Sequence, residues 1–440
     1  MNSFLKVNNQ LGEEMIQQTI LPFKLEKTTS TLTSHSGLSI FGEFVHGLGI
    51  SNLVDRYLPV PGSNSGYYPS QYVYPLLLML HGGGRSLEDI REIKLDTGLD
   101  KLLPLKKIPS SDAFGDWLRR IGDNGGLYGL LRVNRKILKK ELKGDGLKGY
   151  TLDIDATGIE ANKFEARRTY KGYYGYMPIV GHIAENGMVL GDEFREGNDS
   201  PGARNLAFIK HCESQLPKDK KIRYFRSDSA AYQGKIIDYC IDKGIEFAIG
   251  ADLDKAVVEI IRELPDEAYL DYKDGKIAET VHTMNNNHYP FRLIVISRPY
   301  QGDVFGDVDT HNRYTVIATN RTGTPEEIVD WYNQRGDCSE NRIKELKIGF
   351  GMERMPCGQF KANAVFFRIG VIAYNLYKLF VNNVLDKSWN KYQIQTVRWR
   401  FYQKAGKVVS HAGQIVLKIN EHLFEIYKDI RFRAWEFVMG

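Results

Sequence analysis

The sequence predicts an α/β protein: a mixed sheet flanked by helices, with a helical N-terminal domain before it and a β-rich insertion within it. Three observations carry this. Over residues 149–251 the pattern runs strand, hairpin, helix, strand, helix, strand, an order that a mixed sheet covered by helices accounts for. Asn186-Gly187 is the dipeptide most favoured in a two-residue hairpin, where both positions need positive φ. Thr324-Pro325-Glu326-Glu327 is a strong helix start, with Thr at the cap, Pro at the first position and Glu at the third.

Residues 1–30 are polar and irregular and read as a flexible arm. Residues 31–148 are mainly helical and read as one helical domain. A helix over 41–58 stops at Pro59-Val60-Pro61-Gly62, and another over 70–80 has Pro75 near its start. Ser86-Leu87-Glu88-Asp89 opens a third, and Ser110-Ser111-Asp112 caps a helix over 113–121. Arg132, Arg135, Lys136, Lys139, Lys140, Lys143 and Lys148 then stand against only Glu141 and Asp145. A solvated helix face and a phosphate-contacting surface both fit this run.

Strands begin at Tyr150. Residues 150–155 alternate, and 176–184 and 188–195 flank Asn186-Gly187 as antiparallel neighbours. A helix over 203–215, a strand over 221–226, a helix over 232–242 and a strand over 245–249 complete the first part of the core, 149–251. Residues 252–322 form the β-rich insertion, with strands over 291–297 and 313–319. Residues 323–384 supply the last core helices, and 385–440 a basic and aromatic C-terminal segment.

A length of 440 residues implies two or three compact units. The net charge of +5 does not by itself demand a polyanionic partner. Cys212, Cys240, Cys338 and Cys357 form no Cys-x-x-Cys pair, which argues against a zinc site or disulfide framework and suits a reduced, cytoplasmic setting. Residues 1–18 lack the basic stretch and apolar run of a signal peptide. The most apolar stretch, 364–380, is interrupted by Arg368, Asn375 and Lys378 and reads as a buried helix, so no membrane partner is expected. His81-Gly82-Gly83-Gly84 has no Gly-x-Ser-x-Gly to accompany it, and no phosphate-binding Gly-x-x-x-x-Gly-Lys-Ser/Thr loop exists. His282 and His288 flank a turn and lack partners that would make them metal ligands.

The chemistry lies in three acids. Asp155 and Asp228 each close an apolar strand, so side-by-side strands would bring them to one sheet edge, with Asp153 on the same face as Asp155. An Asp at a strand end also serves as a turn former. Glu340 shares a helical stripe with Lys344 and Lys347 at i, i+4 and i+7, which fits both a metal- and phosphate-binding face and an ordinary surface ion-pair helix. Phosphodiesters repel nucleophiles and have a poor leaving group. Two divalent cations about 4 Å apart answer both problems, and hard cations need clustered carboxylates.

Thr151-Leu152-Asp153-Ile154-Asp155-Ala156-Thr157, Phe225-Arg226-Ser227-Asp228-Ser229-Ala230-Ala231-Tyr232 and the series Tyr332, Arg335, Glu340, Lys347 together resemble the DDE-class bacterial insertion-sequence transposases with a Tyr-Arg-Glu-Lys signature. The likeness extends over about residues 150–380. It implies a ribonuclease-H-like fold, with Asp155, Asp228 and Glu340 as catalytic metal ligands for two Mg²⁺ ions, for which Mn²⁺ can substitute. It also implies a homodimer acting on double-stranded DNA, both terminal inverted repeats and target. Tyr332, Arg335 and Lys347 are implied to handle phosphates near the cut, and Lys344 lies on the same stripe. Four residues, 336–339, separate Arg335 from Glu340 where the family pattern has three. A bulge or late helix start near Gly336 is therefore expected, and Asp337 is the reserve candidate for the acid. Members of this branch often stack a Trp of the insertion on a flipped base. Residues 252–320 contain no Trp and offer Tyr269, Tyr272, Tyr289, Phe291, Tyr300 and Phe305 instead.

In the C-terminal segment Arg398, Arg400 and Lys404 stand among Trp399, Phe401 and Tyr402. This composition suits a DNA-tracking surface as well as an amphipathic helix with buried aromatics. The expected function is a bacterial, nucleoid-associated transposase that cleaves DNA at element ends and joins it to target. A nuclease of the same fold without joining activity, and a DNA-binding regulator with a decayed site, are the alternatives.

Overall fold

The computed structural model of the protein describes residues 26–63, 65–299, 312–336 and 340–440, with the backbone of a short pairing between β1 (Ile16–Gln17) and β2 (Lys24–Leu25). After β3 (Thr31–Thr33) come seven helices: α1 (Ser36–Gly47), α2 (Ile50–Tyr57), α3 (Ser70–Gly82), α4 (Ile90–Leu95), α5 (Thr97–Leu102), α6 (Ser111–Asp123) and α7 (Gly126–Leu142). The helix expected over 41–58 is thus two. Gly49, at φ +70°, turns the chain between them, a conformation open to a residue without Cβ. Ser110 caps α6 by accepting from the Ala113 N–H.

The core begins with β4 (Gly149–Ala156), β5 (Ile159–Glu160), β6 (Arg167–Arg168), β7 (Tyr174–Tyr176), β8 (Ile179–Ile183) and β9 (Val189–Glu193). Next come α8 (Asn205–Gln215), β10 (Lys221–Ser227), α9 (Gly234–Lys243), β11 (Glu246–Gly250) and α10 (Lys255–Glu263). Then follow β12 (Leu270–Tyr272), β13 (Gly275–His282), β14 (Phe291–Pro299), β15 (Asn312–Thr319), α11 (Pro325–Arg335), α12 (Asn341–Lys344) and α13 (Phe360–Asn383). The chain finishes with α14 (Ile394–Val397), β16 (Gly406–His411), β17 (Gln414–Lys418) and α15 (Glu421–Met439).

One nine-stranded sheet runs β12-β13-β14-β15-β11-β10-β4-β8-β9. Its half from β9 to β11 has the chain order 3-2-1-4-5, with only the second strand, β8, antiparallel to the rest. This is the ribonuclease-H-like arrangement. Strands β12 to β15 pair onto β11 and lengthen the same sheet rather than forming a separate layer. β4 is buried from Tyr150 to Ile154, as a strand covered on both faces must be. On one face α8 sits close because β8 and β9 have glycines beneath it: a Cβ at Gly181 or Gly191 would come within 2.8 Å of Cys212 Sγ. On the other lies α13. Its Asn375 accepts from the Val189 N–H at 2.8 Å and donates to Asn134 of α7 at 2.7 Å, joining sheet and helices through one satisfied amide.

β8 and β9 pair antiparallel, but not through a two-residue turn. Residues 184–188 connect them, and of the pair only Gly187 has positive φ, at +77°. Asn186 instead accepts the Met188 N–H on its side chain. The last segment is not one amphipathic helix: β16 pairs with β17 and with β3, and α15 lies against α1, where Arg431 clasps Glu43. α13 is long and apolar enough to cross a membrane by length and composition, yet it is buried within the protein. Its Arg368 pairs with Asp192 at 3.0 Å.

Candidate active site

β4 and β10 lie side by side and parallel, with Ser227 opposite Ile154, so Asp155 and Asp228 emerge from the same sheet edge. This edge is the crevice outside the carboxyl ends of strands where the chain order reverses, the usual ligand position in open α/β sheets. The third acid arrives from the helices. Thr324 and Glu327 form a reciprocal capping box that starts α11, and Tyr332 and Arg335 follow in its last turns. Residues 336 and 340, on either side of 337–339, each carry the wide i→i+5 winding by which a helix takes in an added residue. Asp337 lies outside the described residues. A cleft of about 300 Å³ is lined by Asp155, Thr157, Glu340, Lys344, Lys347 and Glu353, among others.

Electrostatics tie the acids together. Burial, then repulsion from Asp228, with Glu340 adding to it, push the Asp155 carboxyl up to about 6. Arg335 opposes this from 3.9 Å. Burial disfavours the Arg335 charge, but Tyr332, Asp155, Asp228 and Asp153 more than offset it and hold its pKa above the ordinary value. The Tyr332 ring lies 5.9 Å from the Arg335 guanidinium. Its hydroxyl lies 2.8 Å from where a Cβ on Gly250 would be, so a larger residue at the end of β11 would push the Tyr332 ring aside. Asp228 accepts from the Ala230 N–H through one carboxylate oxygen.

The supports of the site were less visible in the sequence. Asp153, fully buried, accepts two hydrogen bonds from Arg226 at 2.8 and 2.9 Å, and Arg226 also donates to the Trp331 carbonyl at 2.7 Å. α11 is thereby fastened to the two strands that carry the aspartates. Arg342 donates to the Ile183 and Ala184 carbonyls, and Lys347 to that of Gly158 at 2.7 Å, which binds the Glu340 helix to the sheet edge. Partial burial lowers the pKa of Lys347. Glu353 was missed for lack of any motif.

Arg398 does not belong to a DNA-facing surface. It is 6% exposed and donates to the carbonyls of Leu80, His81 and Gly349, because the wide winding over Arg398–Tyr402 turns it inward. Arg400 packs on Tyr392 and donates to its hydroxyl, and Lys404 lies 5.4 Å from the exposed Trp399 ring. This patch does not line the cleft. Of the insertion aromatics, Tyr272 and Phe291 are buried, Tyr269 is half-buried, and Tyr289 is exposed with its hydroxyl on Asp242. Tyr300 and Phe305 lie outside the described residues.

The donor set fits a hard divalent cation. Among the described residues no three acids, histidines or cysteines form a ready-made cage. A small hard cation usually takes one or two carboxylates and completes its shell with water and substrate phosphate. Asp155, its charge opposed by burial and by two neighbouring acids, is the carboxylate a cation would relieve.

A stability test follows for the metal-free protein. The unfolded chain loses the Asp155 proton near pH 3.9, the folded chain near 6. Rising pH therefore lowers stability across that window, by about 3 kcal/mol once both states are ionised. Asp155→Asn should raise the unfolding midpoint by about 3 °C near neutral pH and leave it unchanged near pH 4. Thermal melts in chelator at the two pH values check this; an equal shift at both would remove the assigned cause.

No curated protein matches the chain. Among solved structures, the chain is similar to piggyBac transposase in a synaptic complex with hairpin DNA, with 10% identity and a TM-score of 0.47, covering 85% of this chain and 82% of that one. The family model described as transposase DDE domain group 1 matches residues 20–431. With nearly its whole length matched, the chain belongs to the transposase DDE domain group 1 family.

Proposed function

We propose that the protein is a DNA transposase of a bacterial insertion sequence, of the Tyr-Arg-Glu-Lys branch, that cleaves element ends at terminal inverted repeats and joins them to target DNA. The observation that carries the reading is the meeting of Asp155 and Glu340 with Lys344 and Lys347 in one cleft, with Asp228 and Arg335 beside Asp155. Asp155, Asp228 and Glu340 would hold two Mg²⁺ ions, or Mn²⁺ in their place. When bound, such ions activate the attacking oxygen and stabilise the leaving one. Lys344, exposed beside the acids, attracts the DNA phosphate. Arg335 offers its guanidinium next to Asp155, where a phosphate oxygen can be gripped by two N–H donors. Tyr332, packed on Gly250, keeps that guanidinium in place. The same residues serve both steps, first water attack that frees a 3′-hydroxyl, then attack of that hydroxyl on a target phosphate. The protein would act as a homodimer, in the cytoplasm and on the nucleoid.

The test is strand transfer. A precleaved duplex with a free 3′-hydroxyl at the element end, incubated with plasmid, enzyme and Mg²⁺, should yield joined product. Cleavage of uncut ends without joining would leave a nuclease of the same fold. Salt-sensitive binding with no product in Mg²⁺ or Mn²⁺ would leave a DNA-binding regulator.

A further inference from the structure

Between the first aspartate and β8 the chain makes an excursion, residues 157–176, of which the foregoing site uses only the base, Thr157 and the Gly158 carbonyl. Its strands form a small sheet of their own, in the order β5-β7-β6. The base is fixed at several points. The Glu165 N–H donates to the Gly358 carbonyl at 3.0 Å, and the Glu165 carboxylate accepts the Phe360 N–H at 2.6 Å. The Tyr173 hydroxyl fills the place of a Cβ on Gly158, whose carbonyl receives Lys347. At the tip the Thr169 N–H donates to the Tyr173 carbonyl at 2.7 Å, and Gly172 turns the chain at φ +92°. The excursion is therefore a fixed projection seated on the rim of the cleft.

Its outer surface is unusual in composition. Phe164 is 89% exposed, Tyr170 63% and Tyr174 55%. Exposing three large rings in one short segment forgoes the stabilisation that burial would give them. Arg167, Arg168 and Lys171 are exposed beside the rings. Arg168 stands directly across from Tyr174 in the β6–β7 pairing, so the two share a face. Among the described residues none of these three cations forms an ion pair, and they lie together in one short segment. Lys171 is also close enough to Lys347 to disfavour its charge. Cations left unpaired and set near one another call for an anionic partner, and flat rings between them call for one with planar groups.

We propose that residues 157–176 grip the single-stranded DNA next to the reacting phosphate, with Phe164, Tyr170 and Tyr174 stacking on unpaired bases and Arg167, Arg168 and Lys171 on the backbone. A closed duplex would engage the cations alone, since its bases are already stacked on each other; an unpaired strand engages both sets. Lys163, next to Phe164, lines a second cleft of about 450 Å³ together with Arg85, Arg119 and Arg354 and the acids Glu88, Asp112 and Asp116. This inference rests on the DNA-cleaving reading of the neighbouring site.

The experiment compares affinities of the full chain for one duplex in two forms, blunt and with a short oligothymidine tail, by fluorescence anisotropy in chelator so that nothing is cut. The tailed duplex should bind about tenfold tighter, the equivalent of one or two stacked bases. Phe164→Ala/Tyr170→Ala/Tyr174→Ala should bring the ratio of the two affinities to about one, with an unchanged thermal midpoint as the folding control. Arg167→Ala/Arg168→Ala should flatten the salt dependence of tailed-duplex binding by about 1.5 in log–log slope. A wild-type ratio near one, or a wild-type ratio retained by the triple variant, overturns the grip and leaves the active-site reading standing. Loss of self-association in the triple variant with its affinity ratio intact would make the rings a protein interface and also overturns it. Failure of the wild-type chain to bind either duplex overturns both.

Discussion

Replacing Asp155, Asp228 or Glu340 by alanine is expected to cut Mg²⁺-dependent cleavage of a labelled terminal-repeat duplex by about 10³-fold or more, because the charge stabilisation that bound cations supply is worth several kcal/mol. The reason is geometric. Asp155 and Asp228 leave adjacent parallel strands at one edge, and Glu340 lines the same cleft as Asp155. No one of them duplicates another. The fold should survive each change, since Glu340 is exposed, Asp228 only partly buried, and Asp155 carries a charge that its surroundings disfavour. Circular dichroism and gel assays on the three purified variants decide it. Normal cutting by the Glu340→Ala protein would remove that residue from the site and reopen the case for Asp337.

The second large effect lies one layer beneath. Asp153→Ala should destabilise the protein by about 3–5 kcal/mol, because it strands the Arg226 guanidinium in the interior. Asp153 is 0% exposed and the pair is bidentate. Asp153→Leu combined with Arg226→Met should recover most of that loss, since an apolar pair avoids the desolvation cost. Activity should not return with it. Arg226 also holds the Trp331 carbonyl, one residue before Tyr332, and a methionine cannot donate to it. Urea melts together with cleavage rates on both proteins separate the two roles, and a double variant as active as wild type would show that the tie to α11 does not position the site.

Much of this was legible in the residues. Alternation, caps and the order of apolar runs are local signals, and they located β4, β10, β11 and α11 closely because each is short or sharply capped. The paired strand ends could be inferred for Asp155 and Asp228 because both close a buried strand. What failed did so for identifiable reasons. Asn186-Gly187 favours a tight turn, but the Asn186 side chain took the Met188 N–H and the loop lengthened. Arg398 looked like surface charge because its sequence neighbours are basic and aromatic; its burial depends on three carbonyls, from Leu80, His81 and Gly349, distant in sequence. Asp153 resembled a second site acid until its distant partner, Arg226, came into view. The excursion over 157–176 went unread because two-residue strands and a positive-φ tip leave no periodicity to detect.

The pairing of β3 with β16 and the three carbonyls held by Arg398 set an order on biosynthesis. Residues 31–33 wait for residues 406–408 before their edge is satisfied, and the helix of Glu340 gains its last fastening, at Gly349, only when residue 398 has been made. A chain still emerging from the ribosome can fold β4, β10 and β11, yet its third acid lacks the C-terminal brace. The cleft would then be complete only after residues 398 and 406–408 have joined the fold, so that a chain stalled before them lacks its third acid in place.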